Sequence, residues 1–143
     1  GLPCVATETI HRDLYAKLLY NCALNPLGAA LGVHYGALGD DPGTRSIMDG
    51  VVEEVFAVLR GMGVSTHWDT AHDYLEFFYS TQIPATYNHR SSMLQDLEAG
   101  KQTEIDALTG YVCDKGQELG IPTPHCGILS AMIRFLEKRN QSS

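Results

Sequence analysis

Positive charge is scarce in this chain of 143 residues: ten Lys and Arg stand against 17 Asp and Glu, a formal charge of −7. That balance argues against a nucleic-acid or anionic-membrane partner, because both are held by a positive footprint. No run of about 18 uncharged apolar residues occurs, so no membrane span is expected. The four cysteines, Cys4, Cys22, Cys113 and Cys126, form no C-x-x-C pair. His67 and His72 are five apart and miss the i, i+4 spacing of a helical metal pair. No metal site is therefore expected, and the cysteines read as free, mostly buried thiols of a reducing, cytoplasmic compartment. Period-2 alternation of β-branched residues is missing, which excludes a sheet protein. The nearest approach to G-x-G-x-x-G, Gly61-Met-Gly63-Val-Ser-Thr66, lacks the third glycine and follows a helical segment, so no dinucleotide loop is read here. There is no P-loop and no G-x-S-x-G elbow. Gly1-Leu2-Pro3 has neither the charged start nor the apolar run of a secretion signal. With no initiator Met, the chain is expected to start inside a longer gene product.

What is present is helical periodicity, in a chain with 44% apolar and 19% charged residues, enough to bury a core. A first helix is predicted over residues 9–31 and a second over 45–62, with Met48, Val51, Val52, Val55 and Leu59 on its inner face. Thr66-x-x-Asp69 resembles a capping box opening a third helix, which Ile83-Pro84 ends. A loop over 85–90 leads to a short helix opened by Ser92-x-x-Gln95. Thr103-x-x-Asp106 opens another, with Ile105, Leu108, Val112 and Leu119 inward and Gly120 at its C′ position. Thr123 and Pro124 start the last helix, whose core face is Ile128, Leu129, Met132, Ile133 and Leu136. The fold class is an all-α, multi-helix bundle in a single domain over residues 1–143.

The first helix is apolar almost all round, the pattern of a buried helix, yet Lys17, Asn21 and Asn25 lie along it at i, i+4 and i+8. At about 100° per residue they form one polar stripe. Buried amides without partners cost roughly 1–3 kcal/mol each, so the stripe needs protein partners or a ligand. Pro26, by removing one backbone bond, is expected to kink the helix and open a cleft beside Asn21 and Asn25. Each polar residue also has an ordinary structural explanation. Lys17 can reach solvent, the asparagines can bridge helices, Ser92 can be an N-cap, and Glu104 can favour a first helical turn.

Taken as blocks, these residues resemble a known family. Lys17-Leu-Leu-Tyr-Asn21-Cys-Ala-Leu-Asn25-Pro-Leu-Gly, then Gly32-Val-His-Tyr-Gly-Ala-Leu, looks like the first helix of the C-terminal domain of ketopantoate reductases (2-dehydropantoate 2-reductases). Ser91-Ser92-Met93-Leu94-Gln95-Asp96 with Thr103-Glu104-Ile105-Asp106, and Gly120-Ile-Pro-Thr-Pro124, come next in family order. The resemblance implies a fold like the 6-phosphogluconate dehydrogenase C-terminal domain, preceded in the whole enzyme by a Rossmann domain that binds NADPH and is absent from this chain. It implies reduction of 2-dehydropantoate to pantoate, toward pantothenate and coenzyme A, in a cleft between the two domains. Lys17 would be the general acid, with Glu104 as its catalytic partner. Asn21, Asn25 and Ser92 would bind substrate. Within this chain only Lys17 and Glu104 would reach toward the cofactor.

The implied partners are a small 2-oxo acid, the chain's own Rossmann domain and a second copy in a homodimer. The detached domain is expected to expose an apolar patch, to self-associate and to be inactive alone. Two positions depart from the family pattern: His125-Cys126 after Pro124, where members often carry Asn at 126, and Thr109-Gly110 in place of Asn-Gly. They leave the choice of 2-oxo acid open. A non-catalytic helical interaction module is the alternative class, and it predicts decay of the polar stripe, which is intact.

Overall fold

Proline and capping side chains set where the helices begin. In the computed structural model the backbone is described from Leu2 to Ser142 and the side chains from Ile10 to Asn140, so Cys4 lies outside the described side chains. Helix α1 (Leu2–Leu31) is the spine, about 45 Å long at 1.5 Å per residue. Its C-terminal half carries the buried Leu19, Cys22, Ala23, Leu24 and Leu27, and it packs on four later helices. Its preceding turns lie at the surface, with Ile10 and Leu14 exposed. Helix α2 (Tyr35–Asp40) comes next, capped by the His34 ring, which accepts from the Ala37 amide.

Helix α3 (Pro42–Gly61) starts three residues before the predicted Arg45. The Asp41 carboxylate accepts from the Thr44 amide and Pro42 takes the first turn, where its missing N–H is no loss. All five predicted inner residues of α3 are buried. Helix α4 (Ala71–Phe77) is capped by Thr70 and not by Thr66, whose hydroxyl is engaged with the Trp68 backbone. It widens into a π-helical turn (Phe78–Gln82) and continues as α5 (Ile83–Ala85). The Ile83 amide reaches back five residues to the Phe78 carbonyl, and the wide turn admits Pro84, which has no N–H to offer.

Residues 86–90 return across the start of α2. The amides of Tyr35 and Gly36 donate to the carbonyls of His89 and Tyr87 at 2.9 and 2.8 Å. Helix α6 (Ser92–Glu98) packs on α1. The helix expected to open at Thr103 is divided: a 3-10 turn (Ile105–Ala107) breaks at Leu108, where ψ is −111°, before α7 (Thr109–Leu119). The hydroxyl of Thr103 still accepts from the Ile105 amide. Gly120 closes α7 in the left-handed conformation at φ 72°, as predicted.

Helix α8 (Pro124–Ser142) buries Cys126, Leu129, Ser130 and Ile133 against α1, α3 and α7. Its predicted core face is too wide. Ile128 and Met132 are 62% and 40% exposed, and with Phe135 they form an apolar stripe beside the core face. Leu119 is likewise exposed, at the end of α7. The N-terminus of α8 is tied to α3 by the buried Glu54, whose carboxylate accepts from the amides of His125 and Cys126, both at 2.9 Å, and from His125 Nδ1 at 2.6 Å. No strand forms among the described residues, so the all-α reading is correct. No described helix is long and apolar enough to cross a membrane.

Candidate active site

The polar stripe on α1 is graded in depth because the helix dives from surface to core along its length. Lys17 is exposed, Asn21 is half-buried and Asn25 is 8% exposed. Lys17 therefore needs no buried partner within this domain. Lys17 and Asn21 face one cavity of about 390 Å³, walled by Leu14, Leu18, Leu108 and Tyr111. On its other side Lys17 borders a second cavity of about 550 Å³, reached by Asp13, Tyr20, Gln82 and Thr86. The π turn places Gln82 there, where its side chain accepts from the Tyr74 hydroxyl at 2.7 Å. Thr86 accepts from the Tyr20 hydroxyl at 3.1 Å. The lysine thus stands on a ridge between two concave surfaces.

Asn25 does not line either cavity. Helix α1 runs on through the buried Pro26, and the opening lies beside Asn21 only. The Asn25 side chain is held by protein instead. Its Oδ1 accepts from the Tyr35 hydroxyl at 2.6 Å and from Ser91 Oγ at 3.1 Å, and its Nδ2 donates to Asn21 Oδ1 at 3.3 Å. Burial, first, and the neighbouring Tyr20 push the Tyr35 phenol up to about 12, so it stays a proton donor at neutral pH.

Ser92 is the first residue of α6 and exposed. The N-cap is Ser91, whose Oγ accepts from the Met93 and Leu94 amides. With two adjacent serines the sequence points to Ser92, because Gln95 then falls at N3; burial beside Asn25 decides for Ser91. Glu104 is exposed at the start of the segment whose Ala107 and Leu108 wall the Lys17 cavity. Among the described residues Lys17 and Glu104 form no ion pair with each other. The structure therefore brings Lys17, Asn21 and Asn25 into one connected group, and Ser92 and Glu104 border neither cavity. Sequence reasoning missed Tyr35 and Ser91, although both lie inside the quoted blocks.

An ammonium beside amide groups in a concavity with apolar walls suits a small anionic substrate whose oxygen takes a proton. Among the described residues no strand leads into a glycine-rich turn, so these residues do not fit the dinucleotide itself.

A model of the family described as "Ketopantoate reductase PanE/ApbA C terminal" matches residues 9–137. Among curated proteins, 2-dehydropantoate 2-reductase of Aquifex aeolicus is 37% identical over 98% of this chain and 45% of its own length. The Vibrio cholerae protein of the same name is 37% identical over 95% and 44%. The chain thus spans under half the length of the curated relatives it matches. Among solved structures, a PanE/ApbA family ketopantoate reductase from Ralstonia eutropha superposes with a TM-score of 0.82 at 37% identity, over 91% of this chain and 42% of that one. A D-mandelate dehydrogenase with NADH and anilino(oxo)acetate superposes with a TM-score of 0.81 at 26% identity, over 92% and 42%.

Proposed function

The chain belongs to the ketopantoate reductase PanE/ApbA family as its C-terminal domain, and we propose that it is the substrate-binding half of an NADPH-dependent reductase converting 2-dehydropantoate to pantoate. One observation carries the reading: Lys17 and Asn21 open into the same cavity, with Asn25 tied behind them. NADPH, bound mainly by an N-terminal Rossmann domain outside this chain, supplies the hydride. Lys17 polarises the C2 carbonyl and gives its proton to the oxygen as the alkoxide forms, while its exposure leaves the ammonium available to the substrate. Asn21 binds substrate in the cavity and Asn25 supports it from behind. The family resemblance assigns the substrate carboxylate or hydroxyl to Ser92, and the lysine and the substrate's hydroxyl side to Glu104; both residues are exposed and border neither cavity.

Alone, the chain completes no turnover. A cytoplasmic location and a homodimer complete the reading. The exposed Ile10 and Leu14 ahead of Lys17 on α1 and the α8 stripe support coverage of this domain by further protein. A second reading, reduction of a different 2-oxo acid, is favoured by the likeness to the D-mandelate dehydrogenase and by the apolar cavity wall.

The test is NADPH oxidation by the full-length gene product with 2-dehydropantoate, comparing wild type with Lys17→Ala. The expected loss is about 10²-fold or more in kcat, the low end for a general acid. No rate in a wild type that binds NADPH would move the substrate elsewhere among 2-oxo acids.

A further inference from the structure

The Tyr35, Ser91, Asn25 and Asn21 side chains form a chain of hydrogen bonds with one direction. Ser91 Oγ already accepts two backbone N–H groups, from Met93 and Leu94, which fills its two lone pairs. Its single proton can only be donated, shared between the Asn25 backbone carbonyl at 2.9 Å and the Asn25 side chain at 3.1 Å. The Asn25 side-chain atom at that place is the acceptor oxygen, since an NH₂ there would face a serine oxygen with no lone pair left, and the Tyr35 hydroxyl, at 2.6 Å from the same atom, donates to it as well. With its oxygen fixed, Asn25 turns its NH₂ to Asn21, which must answer with its own oxygen at 3.3 Å. The Asn21 oxygen is thereby engaged, and its NH₂ is left for the cavity that Asn21 lines.

We propose that Tyr35 and Ser91 are positioning residues that set the polarity of Asn21 through Asn25, so that the site presents an amide donor and selects a substrate oxygen that accepts. This rests on the reading of the cavity as the substrate site. The selected group is a carboxylate, carbonyl or hydroxyl oxygen; a substrate with an N–H donor at that place meets another donor and is refused.

The experiment is a double-mutant cycle on the full-length enzyme with Tyr35→Phe, Asn21→Ala and the pair, read as kcat and KM for 2-dehydropantoate. It is accompanied by side-chain amide spectra of the same proteins labelled with ¹⁵N-asparagine. Tyr35→Phe is expected to raise KM roughly three- to ten-fold, the range of one neutral hydrogen bond, with kcat nearly unchanged. In the Asn21→Ala background the same substitution is expected to change nothing. In the spectra Tyr35→Phe shifts the Asn21 NH₂ signals. Additive KM effects together with unmoved Asn21 signals would overturn the proposal. Shifted Asn21 signals in a protein that does not reduce 2-dehydropantoate would leave the relay standing and remove the substrate assignment instead. Ser91→Ala also uncaps α6, so Ser91→Thr serves as its control: restored KM is expected if the hydroxyl acts as a donor, and a KM as poor as that of Ser91→Ala counts against it.

Discussion

Replacing Glu54 tests the claim that one buried carboxylate fastens α8 to α3. Three donors converge on it: the His125 and Cys126 amides, each at 2.9 Å, and His125 Nδ1 at 2.6 Å. Two of these are first-turn N–H groups of α8, which have no partner inside their own helix. In Glu54→Ala both lose a charged acceptor, at about 1–3 kcal/mol for each buried donor left unmade. The Cys126 amide is in the core, while the His125 ring is partly exposed, so water can reach one side only. The expected destabilisation is therefore about 3–4 kcal/mol. Glu54→Gln keeps the shape and one acceptor oxygen but turns an NH₂ toward a donor, and should cost about 1–2 kcal/mol. Urea unfolding of the full-length protein, tracked by helical circular dichroism, measures both. A loss under about 1 kcal/mol in Glu54→Ala, at unchanged m-value, would refute the tie.

Burial pushes the Cys22 and Cys126 thiols above the ordinary range, so both should resist a disulfide reagent at pH 8 in the folded protein and react at once in urea, counted by thiolate release. The Tyr35 phenol titrates near pH 12 when folded against an ordinary 10.0. Its contribution is then present below about pH 10 and lost as pH rises toward 12. The Tm should fall across that window, less steeply in Tyr35→Phe. A Cβ on the buried Gly116 would lie 2.7 Å from the Ile121 carbonyl oxygen, which is backbone and cannot step aside. Gly116→Ala should cost about 1–3 kcal/mol in urea unfolding, and a neutral result would contradict the tight α7 turn.

Legibility in the sequence tracked burial. Met48, Val51, Val52, Val55 and Leu59 were readable because a helix with one covered face repeats cleanly. On α8 the apolar pattern is broader than the surface that covers it, so Ile128 and Met132 looked like core while standing in solvent. Helix α2, at six residues, is too short for any period to show. Capping was harder. Thr66 and Thr70, and Ser91 and Ser92, offer the same hydroxyl, and only tertiary contacts choose between them. The Lys17, Asn21 and Asn25 stripe was legible because all three share one helix. Tyr35 and Ser91 were not, since their bonds to Asn25 cross 10 and 66 residues of chain.

The π turn at Phe78–Gln82 has a consequence for descent. A wide turn holds one more residue than the α-helical path, and by widening it absorbs that residue while the helix on either side keeps its register. Deleting a single codon between Phe78 and Gln82 would close the turn to α-helical width and alter the wall that Gln82 gives the far side of Lys17, while leaving α1 untouched. One side of the lysine ridge can thus be rewritten in a single genetic step, the side carrying Asn21 staying as it is. Relatives differing by one residue at this point would form a natural series in which that second concavity is remodelled.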